Sequence, residues 1–219
     1  MENNMYPFVN LPLPYAFDAL EPYIDTKTME IHHDRQLQAY INQLNRVLSD
    51  FPVLQSMTLE ELIINADELT DGLSIPIRNY GGGVYNHRFY FNGMQPPSDL
   101  TPRGRLIEMI NAQYGNFYNF QEVVKREGLS VFGSGYAWLV FDDGRLRVIT
   151  TPNQNCPLEQ GLCPILALDV WEHAYFLKHY NLRGNYIDDW FRVINWEKAD
   201  ENYLNCIQNY QEMGMRRRK

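Results

Sequence analysis

Cysteine is scarce: Cys156, Cys163 and Cys206 are the only three in 219 residues, and no two stand in Cys-x-x-Cys spacing. A disulfide framework or a thiolate zinc site is therefore not expected, and a reducing, cytoplasmic setting is. Positive charge is also short, because 19 Lys and Arg face 27 Asp and Glu, leaving a formal charge of −8. Such a chain repels the phosphate backbone, which argues against nucleic acid as a partner. The closing "RRRK" reads as a solubilising tail rather than a DNA reader. No apolar run reaches the roughly 18 residues that a membrane span needs, so no membrane partner is expected either. The opening "MENNMYPFVNLPLPYAF" lacks a basic stretch followed by an apolar one, so no signal peptide is expected. Histidine is limited to His32, His33, His87, His173 and His179.

Helical periodicity dominates the first hundred residues. In "DTKTMEIHHDRQLQAYINQLNRVL", Asp25 is a candidate N-cap, and Ile31, Leu37, Ile41, Leu44 and Leu48 recur at helical spacing. Thr58 and Glu61 have the spacing of a capping box. A third helical stretch, roughly 73–93, is interrupted by Gly81, Gly82 and Gly83. Each glycine costs about 1 kcal/mol relative to alanine inside a helix. Three together imply either a close backbone approach or a plain loop between two short helices.

Proline and polar residues in "MQPPSDLTPRG" mark a boundary, with a first domain over 1–97 and a second over 98–219. Helices are expected near 100–114 and 116–128. In "GYAWLVFDDGRLRVIT", β-rich runs flank Asp143-Gly144, a hairpin signal. "CPILALDVW" reads as a third strand, and helix returns from Glu172 onward. The class is α+β, with a helical first half and a small antiparallel sheet in the second.

"LDVWEHAYF" places Asp169 and His173 four residues apart amid aromatic rings. Imidazole and carboxylate are ligand types for iron, manganese and zinc. His32 on the first helix, His87 after the glycines, and Asp169 with His173 at a strand–helix junction would supply three nitrogens and one oxygen to one ion. Spacing alone does not establish that they converge, and a histidine taken singly is more often structural. His33 and His179 illustrate that ordinary case.

Six segments, "LPYAFDALEPYIDTKTMEIHH", "YNHRFYF", "GSGYAWLVFDDGRL", "TPNQNCPL", "LDVWEHAYFL" and "YIDDWFRVINW", closely resemble the iron/manganese superoxide dismutases, in order and over nearly the whole chain. The resemblance implies an N-terminal helical hairpin domain followed by a C-terminal α/β domain with a small three-stranded antiparallel sheet. It implies a mononuclear metal held by His32, His87, Asp169 and His173, with a solvent molecule as fifth ligand. Superoxide and protons would be the substrates and dioxygen and hydrogen peroxide the products, as the ion cycles between trivalent and divalent states. That cycling excludes zinc as the catalyst. Gln154 after the hairpin, together with Gly83 in the facing helix, matches the manganese-type members. One manganese ion per chain is expected, with iron as the alternative. The resemblance also implies a homodimer, with dimers pairing into tetramers left open, in which Glu172 reaches His173 of the other subunit.

Tyr40 matches the gateway tyrosine and Arg183 the funnel arginine, although Gly184 replaces the usual proline. Trp138 and Trp171 are kept, whereas Phe91 and Tyr136 stand where tryptophan is common. Gln36 replaces a histidine and Phe176 a tyrosine, two residues that in the family bond each other across the dimer and extend the proton relay. The expected activity is superoxide dismutation with an adapted outer shell. The alternative is a metal-binding paralogue with weak dismutation, acting as a metal store or interaction protein.

Overall fold

The computed structural model describes residues 3–69, 72–98 and 103–216, with side chains up to residue 212. Asp25 caps the first long helix, its carboxylate accepting the Thr28 backbone N–H at 2.9 Å. This helix, α1 (26–49), is α-helical over Thr26–Ile31, widens to a π-helical segment at His32–Leu37, and is α-helical again over Gln38–Ser49. Leu37, Ile41, Leu44 and Leu48 are buried along one face, as their spacing predicts. The short α2 (Leu59–Ile64) starts with the expected reciprocal capping box between Thr58 and Glu61.

No loop separates two short helices at the glycines. Helix α3 (74–92) runs through them, with a π-helical segment at Ile77–Gly81 and regular helix over Gly82–Asn92. The physical reason is a close approach. A Cβ at Gly82 would collide with the backbone oxygen of Gln154, and one at Gly83 with the Tyr40 ring.

After α3 the chain pairs with a distant segment, Gln95 N–H donating to Val193 O at 2.8 Å and Asn195 N–H to Gly93 O at 2.8 Å. Part of the expected boundary, residues 99–102, lies outside the described residues. Helices α4 (Arg105–Tyr114) and α5 (Phe117–Ser130) follow.

The sheet has strands β1 (Gly135–Asp142), β2 (Arg145–Pro152) and β3 (Cys163–Asp169) in the order β2-β1-β3, all antiparallel. Asp143 and Gly144 both have positive φ, 46° and 85°, as a two-residue hairpin turn of matching twist requires. Central β1 is buried nearly throughout, whereas β2 is partly exposed. Tyr136 lies opposite Asp169 in the ladder, so the end of β3 is held beside the start of β1. Helices α6 (Phe176–His179), α7 (Arg183–Trp190) and α8 (Trp196–Arg216) complete the order. The last three residues of the basic tail lie outside the described residues.

The cysteine expectation is overturned. Cys163 at the head of β3 and Cys206 on α8 form a disulfide, with Cα atoms 5.8 Å apart. Their sequence separation of 43 gives no local signal. Only the docking of α8 on β3 brings them together, reinforced where Asn202 Nδ2 donates to Ile165 O at 3.1 Å. Cys156 remains free and buried, and burial pushes its thiol well above the ordinary range.

Candidate metal centre

Four elements converge on one point. The widened turn of α1 presents His32, the regular part of α3 presents His87, the end of β3 presents Asp169, and the following turn presents His173. One ligating atom from each lies within 4.8 Å of all the others. The side chains of His32 and Asp169 are fully buried, and His173 is 15% exposed. Asp169 Oδ2 lies 3.2 Å from His32 Nε2 and 3.6 Å from His173 Nε2. π-helical turns recur at functional sites because they re-aim side chains. Here one turn carries His32, and a second ends on Gly81, the first glycine of the α3 run.

The neighbours fix which atoms face inward. His87 Nδ1 is 2.7 Å from Gly83 O, so its proton is donated to that carbonyl and Nε2 is left bare. Asp169 Oδ1 accepts the Trp171 backbone N–H at 2.8 Å, which directs Oδ2 to the centre. The Nε2 atoms of His32, His87 and His173 and Oδ2 of Asp169 are buried without a hydrogen-bond partner. Buried polar atoms are nearly always satisfied, so four orphans facing one point form a donor set for one cation. Three imidazole nitrogens and one carboxylate oxygen could hold a single first-row metal ion.

The electrostatics agree. Burial, aided by His173, pushes His32 down to about 4, and burial, aided by His32, pushes His87 down to about 3. Both are neutral donors at physiological pH. Burial by itself would raise the Asp169 carboxyl, but the His173 and His32 imidazoles outweigh it and hold the group well below the usual carboxylate range.

A polar layer lies beside this cluster. Gln154, 3% exposed on the loop between β2 and β3, donates from Nε2 to the Tyr40 hydroxyl at 3.1 Å. Asn86 Nδ2 holds Gln154 by its backbone oxygen (3.0 Å) and its side-chain Oε1 (3.2 Å). Burial raises the Tyr40 phenol, so it keeps its proton at neutral pH. Trp171 stacks on His173 at 5.3 Å between ring centres, Phe91 meets His32 edge-on at 4.9 Å, and Trp138 Nε1 donates to Thr151 Oγ1 at 2.9 Å. Tyr136 is fully buried beside His87, with burial raising its phenol well above the ordinary range.

Four supporting residues escaped the sequence reading. Asn86 stands one residue before His87 and three after Gly83, so helical spacing alone could have placed it toward Gln154. Tyr186 donates to Asp169 O at 2.8 Å and bonds the Tyr90 hydroxyl at 2.9 Å. Tyr175 stacks on Tyr186 at 5.1 Å and accepts a hydrogen bond from Arg183 Nε at 3.1 Å. No local signal marks this tyrosine chain, because it joins α3, β3, α7 and the turn before α6 through space.

Other expected residues stand outside the cluster. Arg183 donates to Val131 O (2.6 Å) and Gly133 O (2.9 Å), so its guanidinium is fixed rather than mobile. Glu172 is exposed, Gln36 half-buried and Phe176 47% exposed. Gln36 makes no side-chain hydrogen bond among the described residues and does not reach Tyr40, whose hydroxyl is taken by Gln154. His33 bonds Leu11 O and Asp34, and His179 bonds Asp189, so both serve structure.

Comparison with known proteins gives the family of the chain. Residues 8–95 match the family described as iron/manganese superoxide dismutases, alpha-hairpin domain, and residues 102–202 match the C-terminal domain of the same family. The chain is also 40% identical over 197 residues to "Superoxide dismutase [Mn] 2" of Bacillus anthracis, covering 90% of this chain and 95% of that protein.

Proposed function

Since the chain belongs to the iron/manganese superoxide dismutase family, we propose that His32, His87, Asp169 and His173 hold its metal and that Gln154 and Tyr40 govern proton supply. The protein is a superoxide dismutase, an oxidoreductase that uses manganese or iron to convert superoxide to dioxygen and hydrogen peroxide. The observation that carries the ligand assignment is the set of four buried, unpartnered donor atoms within 4.8 Å.

When bound, the metal supplies the one-electron chemistry by alternating between trivalent and divalent states. The protein's part is to fix ligand orientation, hold protons and keep bulk water out. The His87 bond to Gly83 O and the Asp169 bond to Trp171 N–H fix two ligands before metal arrives. The Tyr40 oxygen accepts from Gln154, so the phenolic proton is left to be donated elsewhere. Surrounding rings lower the local dielectric and strengthen each of these bonds. For Arg183 we propose the fixed positive charge on the superoxide approach, supported by its anchorage to two carbonyls and by the resemblance.

Manganese is the proposed working metal. Support comes from the loop origin of Gln154 and from Gly83, whose missing side chain leaves the space that the Tyr40 ring fills. Loading the metal-free protein with manganese or with iron, then measuring metal content and superoxide decay on the same samples, tests both points. A single bound ion with fast decay is expected, fastest with manganese. Full loading without decay would favour the paralogue reading.

A domain boundary at 97/98 and a homodimer are further proposals. The boundary is supported by the gap between the two family matches. The dimer is supported by apolar groups left open to solvent: Phe132, Phe176, Leu177, Tyr180 and Leu182. Phe132 lies between the two residues whose carbonyls hold Arg183, the residue that follows Leu182. The exposure of Glu172 beside His173 supports its proposed reach to a second copy. Glu172→Ala should weaken both association and metal retention; a fully active monomer at micromolar concentration would refute the dimer. No helix among the described residues is long and apolar enough to cross a membrane. For the compartment we propose the cytoplasm. The cysteine count no longer supports that proposal, because Cys163 and Cys206 pair. Cell fractionation decides it.

A further inference from the structure

The Cys163–Cys206 bond closes a covalent loop, and that loop contains Asp169 and His173 but neither His32 nor His87. Half of the candidate metal donors are therefore tethered by it. Among the described residues β3 is an outer strand paired with β1 alone, and packing on α8, the Asn202 bond and this covalent link add to its support from α3 and from Tyr186. The two cysteines differ in exposure. Cys206 is 2% exposed, whereas Cys163 is partly open to solvent. Cys156, the third cysteine, is buried at 1% and offers no competing surface.

We propose that Cys163 and Cys206 form a redox couple that is closed by the peroxide this enzyme makes, and that closure secures Asp169 and His173 around the metal. The Cys163 thiolate attacks one peroxide oxygen, the O–O bond breaks, and the departing hydroxide takes a proton to become water. The sulfenic acid so formed is attacked by the Cys206 thiolate. The S–S bond forms, the S–O bond breaks, and the departing hydroxide takes up the proton that the Cys206 thiol released, leaving as a second water. Two thiols and one hydrogen peroxide thus give one disulfide and two waters, with two electrons passing from sulfur to oxygen. Opening the couple with a reductant returns conformational freedom to the 163–206 loop. The metal then loses its pre-set carboxylate and one imidazole more readily. Peroxide output would in this way harden the enzyme that generates it.

The securing role rests on the metal assignment proposed above, whereas the couple itself does not. The test uses the metal-loaded full chain, treated either with a phosphine reductant or with hydrogen peroxide. Thiols are counted in denaturant, and metal release to a chelator is timed. Three thiols after reduction and one after peroxide are expected, with release slower in the oxidised form by on the order of tenfold. Cys163→Ser and Cys206→Ser should release metal at the reduced rate whatever the pretreatment. Three thiols persisting after peroxide would overturn the couple, and equal release rates for the two wild-type forms would overturn the securing role. If the chain takes up neither manganese nor iron, the metal assignment fails. The thiol count and a thermal midpoint several degrees higher in the oxidised form then test the couple separately.

Discussion

A Cβ placed on Gly83 would stand 2.5 Å from Cγ of the Tyr40 ring, inside any real carbon contact. The glycine is therefore the space in which the Tyr40 phenol lies, and that phenol in turn accepts a hydrogen bond from Gln154. Gly83→Ala should push the ring aside and break the 3.1 Å bond from Gln154. Overpacking of this kind costs about 1–3 kcal/mol. Denaturant melts should show that loss, and superoxide decay should slow even in protein that has kept its metal. An unchanged rate would mean that Tyr40 tolerates displacement.

Asp169 is the sole anion among the four proposed ligands. Asp169→Ala should reduce bound manganese to near zero, as measured by elemental analysis after dialysis. Asp169→Asn should retain the shape and still lose most of the metal, because the missing property is charge. Full occupancy in either variant would remove Asp169 from the ligand set.

Gln36 has no hydrogen bond to Tyr40, and Phe176 offers no hydroxyl that could hold it. Glutamine also cannot carry a titrating proton as imidazole does. Restoring the pair, Gln36→His with Phe176→Tyr, should raise turnover at high superoxide several-fold, and by more than the two single changes combined. Pulse-generated superoxide provides the measurement. Identical decay with the wild type would reduce the altered pair to alternative packing.

His32 and His87 should make the metal-free protein sensitive to acid. Burial lowers them to about 4 and about 3, below the ordinary value of 6.5 that they regain on unfolding. As pH falls from 6.5 to about 4 for His32 and about 3 for His87, the unfolded chain takes up protons that the folded chain refuses, so folding stability declines through that window. Below it, protonation of the folded imidazoles ends their contribution. Urea midpoints of metal-free protein should be lower at about pH 5 than at about pH 7, and His87→Gln should flatten the difference. Equal slopes in the variant and the wild type would place the sensitive group elsewhere.

Much of this molecule is written locally. The Asp25 cap, the Thr58–Glu61 box and the Asp143-Gly144 turn are legible because each satisfies backbone groups within four residues of itself. Side-chain periodicity likewise marks the buried face of α1, since helical geometry repeats the same solvent contrast every turn. The four candidate ligands can be named from sequence by donor type and resemblance, but their convergence cannot, since it requires α1, α3 and β3 to meet. The same limit hides the tyrosine chain from Tyr90 through Tyr186 to Asp169 O, and the role of Asn86 in holding Gln154. It also reverses the cysteine reading. Composition treats three thiols as too few and too scattered to pair, whereas the packing of α8 on β3 brings two of them to bonding distance across 43 residues. The run of Gly81, Gly82 and Gly83 lies between these cases. Its cost in helix propensity announces a close approach, and only the fold identifies what approaches, because glycine records the absence of a side chain and not the neighbour that takes its place.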